Sequence, residues 1–311
     1  MHLLKIDGLE ARIGEGTNER ILLKDISFGV SPGEFIAIIG ESGAGKTTLL
    51  RAITDLFPRG AGIRIGGKVL FQGKNLLKEI DHEAQQIRYD SRIRYVFQEP
   101  SMAFNPVLRI RPQVEYLLGK DQFREDAFSS CLDKLGIEHP LRTLQQYPHQ
   151  LSVGILQRIS IALALSGSPA LILADEPLSA IDAIHRNRIV SILLEQCSSR
   201  GIALLFATHD LDAARLHAQT TFVLYKGRIV EKSTSMELFS DPRHPYSKAL
   251  LSHSRDYNLE EDRRGQADRR TSGAGCVYYS RCSIALPSCR EQEPEVVTLT
   301  KDHEVRCPCS R

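Results

Sequence analysis

The run Gly40-Glu41-Ser42-Gly43-Ala44-Gly45-Lys46-Thr47 constrains this chain more than any other stretch of it. It follows Ile36-Ala37-Ile38-Ile39, an apolar run of strand length, and precedes a helical run from Thr47 to Ile53. A G-x-x-x-x-G-K-[ST] stretch in that setting lets successive backbone N–H groups turn inward around phosphate oxygens, and the start of the following helix adds partial positive charge. Gly40, Ser42, Gly43, Ala44, Gly45, Lys46, Thr47 and Thr48 are therefore expected around the phosphates of a nucleotide. Lys46 would reach the outer phosphates and Thr47 would hold Mg²⁺.

A loop of this kind needs a sheet beneath it. Leu171-Ile172-Leu173-Ala174 and Ala203-Leu204-Leu205-Phe206-Ala207 are, like Ile36–Ile39, apolar without alternation. Strands apolar on both faces point to a parallel sheet covered by helices, an α/β fold. Ala183 to Ser199 carries a helical period, about 108 to 165 shows no convincing strand, and Thr220 to Glu231 reads as a hairpin turning at Lys226-Gly227. With 311 residues the chain has room for one large α/β domain and an appendage. The expected boundaries are a nucleotide-binding domain over 1–253, with a helical subdomain at about 104–158, a mixed-charge linker over 254–275, and a Cys-rich tail over 276–311.

The first apolar strand of that set, Leu171–Ala174, ends in Asp175-Glu176. Phosphoryl transfer needs a metal holder and a group that orients and deprotonates water; Asp175 is expected in the first role and Glu176 in the second. The charge balance, 40 basic against 38 acidic residues, argues against a surface built for nucleic acid. No stretch approaches the ~18 apolar residues of a membrane span, and no signal-peptide core is visible at the N-terminus, so the expected compartment is the cytosol.

Seven cysteines are unevenly spread: Cys131 and Cys197 fall in helical runs and are expected as small core residues, while the other five lie in the last 36 residues. Cys276, Cys282, Cys289 and Cys307 are spaced C-x5-C, C-x6-C and C-x17-C, with Cys309 following. Zinc knuckles usually show C-x₂₋₄-C, which fits poorly; wider spacings can surround an iron–sulfur cluster, with an atypical zinc site as the alternative. Ile284 and Leu286 are too few for a core in this tail, so a metal staple is expected.

Taken together, these motifs resemble the ATP-binding cassette (ABC) ATPases. Gln98, in Val96-Phe97-Gln98-Glu99-Pro100, resembles the Q-loop glutamine, and Leu151-Ser152-Val153-Gly154-Ile155 stands where the LSGGQ signature belongs. Ser179-Ala180-Ile181-Asp182 resembles the D-loop and His209 the switch histidine. Phe97-Gln98-Glu99-Pro100, Phe104-Asn105-Pro106, Asp241-Pro242-Arg243-His244-Pro245-Tyr246 and the Cys-bearing tail narrow the resemblance to the oligopeptide/dipeptide/nickel importer ATPases.

The resemblance implies a P-loop cassette with an antiparallel β subdomain, a helical insert and a small Cys-rich C-terminal appendage. It implies an ATPase that energises uptake of peptides or nickel and other metal complexes, peripheral at the cytoplasmic face of the membrane. Its implied partners are a second ATPase subunit, usually a paralogue, two transmembrane permease subunits and, indirectly, an extracytoplasmic substrate-binding protein, with no nucleic acid. Glu176, His209, Gln98 and Lys46 would be catalytic, Thr47, Gln98 and Asp175 would hold Mg²⁺, and Ile13 would cover adenine. Ser152 and Gly154 would act in trans on the partner's ATP, with Asp182 in the D-loop. Cys276, Cys282, Cys289 and Cys307 would ligate a 4Fe–4S cluster, with Cys309 spare. A change at Cys282 is expected to leave the phosphate site intact. Val153 departs from the family glycine and is expected to weaken the partner's site, because a β-branched residue resists the backbone angles glycine accepts. The alternatives are a non-transport ABC ATPase and a regulatory ATP-binding subunit with a degenerate signature.

Overall fold

The computed structural model describes residues 2–58, 60–77, 92–120, 123–252 and 275–309. The expected linker at 254–275 lies, up to residue 274, outside the described residues. The strands are β1 (Leu4–Ile13), β2 (Arg20–Val30), β3 (Phe35–Ile39), β4 (Ile63–Phe71), β5 (Lys74–Asn75), β6 (Ile93–Val96), β7 (Leu171–Asp175), β8 (Ala203–Thr208), β9 (Thr220–Tyr225), β10 (Arg228–Thr234), β11 (Val297–Thr300) and β12 (His303–Val305). The helices are α1 (Lys46–Thr54), α2 (Ile110–Leu118), α3 (Glu125–Lys134), α4 (Pro140–Leu144), α5 (Val153–Leu165), α6 (Ala183–Arg200), α7 (Leu211–His217), α8 (Ser235–Ser240), α9 (Pro245–Ser252) and α10 (Ser288–Glu291). The chain divides into two compact units, one of Met1–Lys5, Gly29–Phe35 and Val69–Ala207, the other of Ile6–Phe28, Ile36–Lys68 and Thr208–Arg311.

In the first unit β6, β7 and β8 run parallel, with Ile93 opposite Leu171 and Leu171 opposite Ala203. Every residue of β7 and β8 is buried, as the apolar runs Leu171–Ala174 and Ala203–Ala207 require, and the burial extends to the polar Asp175 and Thr208 at the strand ends. The stretch expected to be helical carries α2 to α5. Ile110 and Val114 of α2, Leu132 of α3 and Ile159, Ile161 and Ala162 of α5 are fully buried. Cys197, on α6, is buried, and desolvation pushes its thiol up to about 12. Cys131 on α3 is a correction: it is only partly buried and lines a cavity with Phe128 and Arg200.

In the second unit β3 and β9 are parallel, Ile36 opposite Thr220 through Ile39 opposite Val223. The β9–β10 hairpin turns at Lys226-Gly227, with φ of 45° and 76°, the two left-handed residues that a tight two-residue turn demands. A Cβ on Gly227 would meet the Leu22 carbonyl oxygen at 2.1 Å, so glycine is required there for space as well. The tail does not stand apart: β12 pairs antiparallel with β10, Glu231 opposite Val305, and β11 pairs with β12. Ile284 and Leu286 are half exposed, while Tyr278, Cys289, His303, Val305 and Cys307 are the tail's buried residues.

Candidate functional site

In the second unit the loop after β3 delivers Lys46 at the start of α1. Lys46 is 6% exposed, and its ammonium donates to the carbonyls of Gly40 at 2.8 Å and Glu41 at 3.2 Å, spanning the loop. The loop is propped from below: Gly227 N–H donates to the Ala44 carbonyl at 2.8 Å, and Ala44 N–H to that of Glu41 at 3.1 Å. Ser42 and Gly43 are exposed, and Thr47 and Thr48 partly so. Ile13 ends β1, and His209, exposed, follows β8 in this same unit. Asp210, next to it, caps α7 by accepting the Ala213 N–H at 3.0 Å.

In the first unit β7 brings Asp175 and Glu176 to one strand end. Asp175 is 1% exposed and accepts a hydrogen bond from the Tyr95 hydroxyl at 3.2 Å. Glu176 has φ of 44°, a left-handed conformation that costs a non-glycine residue energy and marks a backbone held for a purpose. Its N–H donates to the Ala207 carbonyl at 2.9 Å, and its carbonyl accepts from the Ser179 hydroxyl at 2.9 Å. Gln98 Nε2 donates to Glu176 Oε2 at 3.3 Å. Gln98 is held in turn by its neighbour, since fully buried Gln157 donates to the Phe97 carbonyl at 3.2 Å. The structure thus places Gln98 against Glu176, with Asp175 the preceding residue on the same strand end. Tyr95 and Gln157 complete the cluster without any signal in the sequence, since each acts through a contact distant along the chain, whereas Ser179 is a local contact from the stretch that resembles the D-loop.

Ser152 is exposed and caps α5, its hydroxyl accepting the Ile155 N–H at 3.2 Å. Val153 is the first residue of that helix and 57% exposed, and it is not among the residues with positive φ. The backbone argument for glycine there is thereby corrected; the valine side chain's bulk is what remains. Gly154 is the restricted position, because a Cβ on it would meet the Ala180 carbonyl oxygen at 2.9 Å. Asp182 is exposed just before α6.

In the tail, Cys276, Cys282, Cys289, Cys307 and Cys309 line one cavity of about 10 Å³, near the size of a single water. Among the described residues no group of three or more His, Cys, Asp or Glu side chains is arranged to hold a metal ion. Burial pushes Cys307 up to about 11 and raises Cys276, while the N–H of Cys309 bonds to the first and those of Tyr278 and Tyr279 to the second. His303, fully buried, is taken up otherwise: its Nε2 lies 2.8 Å from Glu231 and its Nδ1 3.1 Å from Glu237.

Residues 23–179 match the ABC transporter family, and residues 230–289 match the oligopeptide/dipeptide transporter C-terminal region. The chain belongs to the ABC transporter family, as an ATP-binding subunit that hydrolyses ATP to drive transport. It is 34% identical over 325 residues to a peptide import ATP-binding protein of Brucella melitensis, across 98% of this chain and 96% of that one. It is 31% identical over 320 residues to the dipeptide transport ATP-binding protein DppD of Escherichia coli K12, across 99% and 96%. A dimeric, post-hydrolysis structure of the ATP-binding cassette MJ0796 bound to ADP and Pi aligns with a TM-score of 0.65 at 28% identity, over 75% of this chain and 98% of that one. cbiO1 of Clostridium perfringens, part of the cbiONQ transporter complex, aligns at 0.61 and 25%, over 84% and 96%.

Proposed function

We propose that this chain is the ATPase subunit of a peptide importer, working at the cytoplasmic face of the membrane beside a paralogous ATPase, two permease subunits and a substrate-binding protein. The curated relatives named for peptide and dipeptide transport support the cargo class, and no observation favours nickel. Among the described residues no helix is long and apolar enough to cross a membrane. Met102, Val107, Leu108, Tyr116 and Leu117, all exposed, lie on the segment following Gln98 and offer apolar surface to a membrane partner.

The observation that carries the catalytic reading is the Gln98–Glu176–Asp175–Tyr95 cluster. The hydroxyl of Thr47, the amide oxygen of Gln98 and the carboxylate of Asp175 are hard oxygen donors that fit Mg²⁺, and these three would hold it. When bound, Mg²⁺ supplies positive charge to the phosphates. Gln98 turns its NH₂ toward Glu176, which leaves its carbonyl for a cation and orients the carboxylate at once. Glu176 takes the proton of the attacking water, and His209 donates to the outer phosphate. The phosphate loop, with Gly40, Ser42 to Gly45 and Lys46 to Thr48, holds the triphosphate, and Ile13 covers the base by dispersion. Ser152 and Gly154 close on the partner's ATP, with Asp182 in the D-loop. Glu176→Gln keeps the shape but accepts no proton. ATP binding is expected to persist while turnover at this chain's site drops about a hundredfold or more. Undiminished hydrolysis at that site rejects the base assignment.

The tail's donor set suits a 4Fe–4S cluster: Cys276, Cys282, Cys289 and Cys307 share one cavity wall, and backbone N–H groups aim at two of the sulfurs. The small space among them means that the thiols would part to seat it. Protein purified without oxygen is expected to carry iron and inorganic sulfide in equal amounts; zinc without iron points instead to an atypical zinc site.

A further inference from the structure

Glu41 lies inside the phosphate loop, where a free carboxylate would repel the anion the loop is shaped to hold. Two groups grip it. Its N–H donates to the Tyr246 hydroxyl at 2.8 Å, and its carboxylate receives both arms of the Arg281 guanidinium, at 3.0 and 3.1 Å. Tyr246 is fully buried, with its ring 4.4 Å from Tyr225 and 5.5 Å from Tyr278. The Arg281 guanidinium lies 5.7 Å from the Tyr278 ring centroid and 6.0 Å from that of Tyr225, within cation–π reach of both rings. Arg281 closes the short 3₁₀ turn Tyr279–Arg281, and the next residue is Cys282, on the wall of the cysteine cavity. A cavity of about 440 Å³ has Glu41, Ser42, Gly43 and Ala44 on one side and Ser280 and Arg281 on the other.

An isolated surface ion pair contributes little. This one is bidentate, and the arginine side chain is only 17% exposed. It also neutralises a charge inside an anion site, an effect that reaches beyond the pair's own stability. We propose that Arg281 is a positioning residue for this chain's phosphate loop, and that the Cys-bearing tail sets, through it, how tightly the loop holds nucleotide. The inference rests on the reading that Gly40 to Thr47 binds the phosphates of ATP. It reverses the expectation that a change at Cys282 leaves the phosphate site intact.

The test is titration of the purified full-length chain with a fluorescent ATP analogue and Mg²⁺. Arg281→Ala is expected to bind about tenfold more weakly, Arg281→Lys less severely, and Cys282→Ser in the same direction. Glu41→Ala combined with Arg281→Ala is expected to recover most of the affinity, because the uncompensated carboxylate is gone. A residue that only held the tail together would show no such recovery. Wild-type affinity in Arg281→Ala, or a double variant as weak as the single one, overturns the proposal. Lys46→Ala separates the two readings. If it binds like wild type, the phosphate-site reading fails; if it binds weakly while Arg281→Ala does not, only the role of Arg281 fails.

Discussion

Asp175, the proposed metal holder, is held by a neighbour the sequence does not advertise. It is buried at a strand end, and the hydroxyl of Tyr95 is what meets its carboxylate. A hydrogen bond to a charged group contributes about 1.5–3 kcal/mol. In Tyr95→Phe the carboxylate loses that anchor. Turnover is expected to fall about fivefold to tenfold, and the Mg²⁺ concentration for half-maximal hydrolysis to shift, with nucleotide affinity nearly kept. Steady-state assays across Mg²⁺ concentrations check this, and an unchanged profile would remove Tyr95 from the site. His244 is a second such residue. It is buried and accepts the Tyr246 N–H on Nδ1 at 3.0 Å, which requires a neutral ring; burial pushes its pKa down to about 3. Its backbone N–H donates to Glu231 at 2.8 Å, and the Tyr278 ring centroid lies 5.8 Å from that of its own ring. The folded pKa is depressed from 6.5, so between pH 6.5 and about 3 the unfolded chain binds a proton that the folded chain does not. The stability it contributes is present above pH 6.5 and is lost as pH falls, by about 1.4 kcal/mol per unit. His244→Asn keeps an acceptor for Tyr246 and cannot titrate. Its urea midpoint is expected to fall less than wild type's between pH 7 and about 5.5.

At the scale of elements, helix α5 carries the signature as its first turn. Ser152 does the work of a cap, Val153 sits at the first helical position with its side chain exposed, and Gly154 is pressed against the Ala180 carbonyl. The helix start therefore presents N–H groups and a hydroxyl, a surface suited to a phosphate on another subunit. The valine at its rim is exposed and without positive φ, so any effect it has on that surface comes from side-chain bulk. Val153→Gly costs the helix about 0.5–1 kcal/mol at most and is expected to raise hydrolysis at the partner's site, or to tighten ATP-driven dimerisation. Assembled transporter showing neither change would mean that the position tolerates either side chain. The β9–β10 hairpin likewise does more than reverse the chain. Its turn at Gly227 supports the phosphate loop through Ala44, while β10 pairs with the tail strand β12. One hairpin thus touches both features that the sequence shows as separate motifs.

At the scale of the molecule, the second unit holds the phosphate loop and the Cys-bearing tail in one compact body. Glu231, 1% exposed on β10, accepts the N–H groups of Arg243 and His244 at 2.7 and 2.8 Å and meets His303 of the tail. The Asp241–Tyr246 stretch and the tail are thus pinned to the same carboxylate. Much of this architecture was legible in the chain. The phosphate loop is eight consecutive residues, the unbroken apolar strands show their burial on both faces, and Lys226-Gly227 names its own turn. Each is a local pattern whose physics is complete within a few residues. Even Asp175 and Glu176 were found because a strand end carries two carboxylates side by side. What tertiary structure alone decided is who meets whom across long separations: Tyr95 with Asp175 across 80 residues, Tyr246 with Glu41 across 205, and Arg281 with Glu41 across 240. No period or spacing encodes such pairs, because they exist only once folding has brought segments far apart in the chain side by side; an arginine before a cysteine looks like any solvated charge until the carboxylate it neutralises has been folded against it.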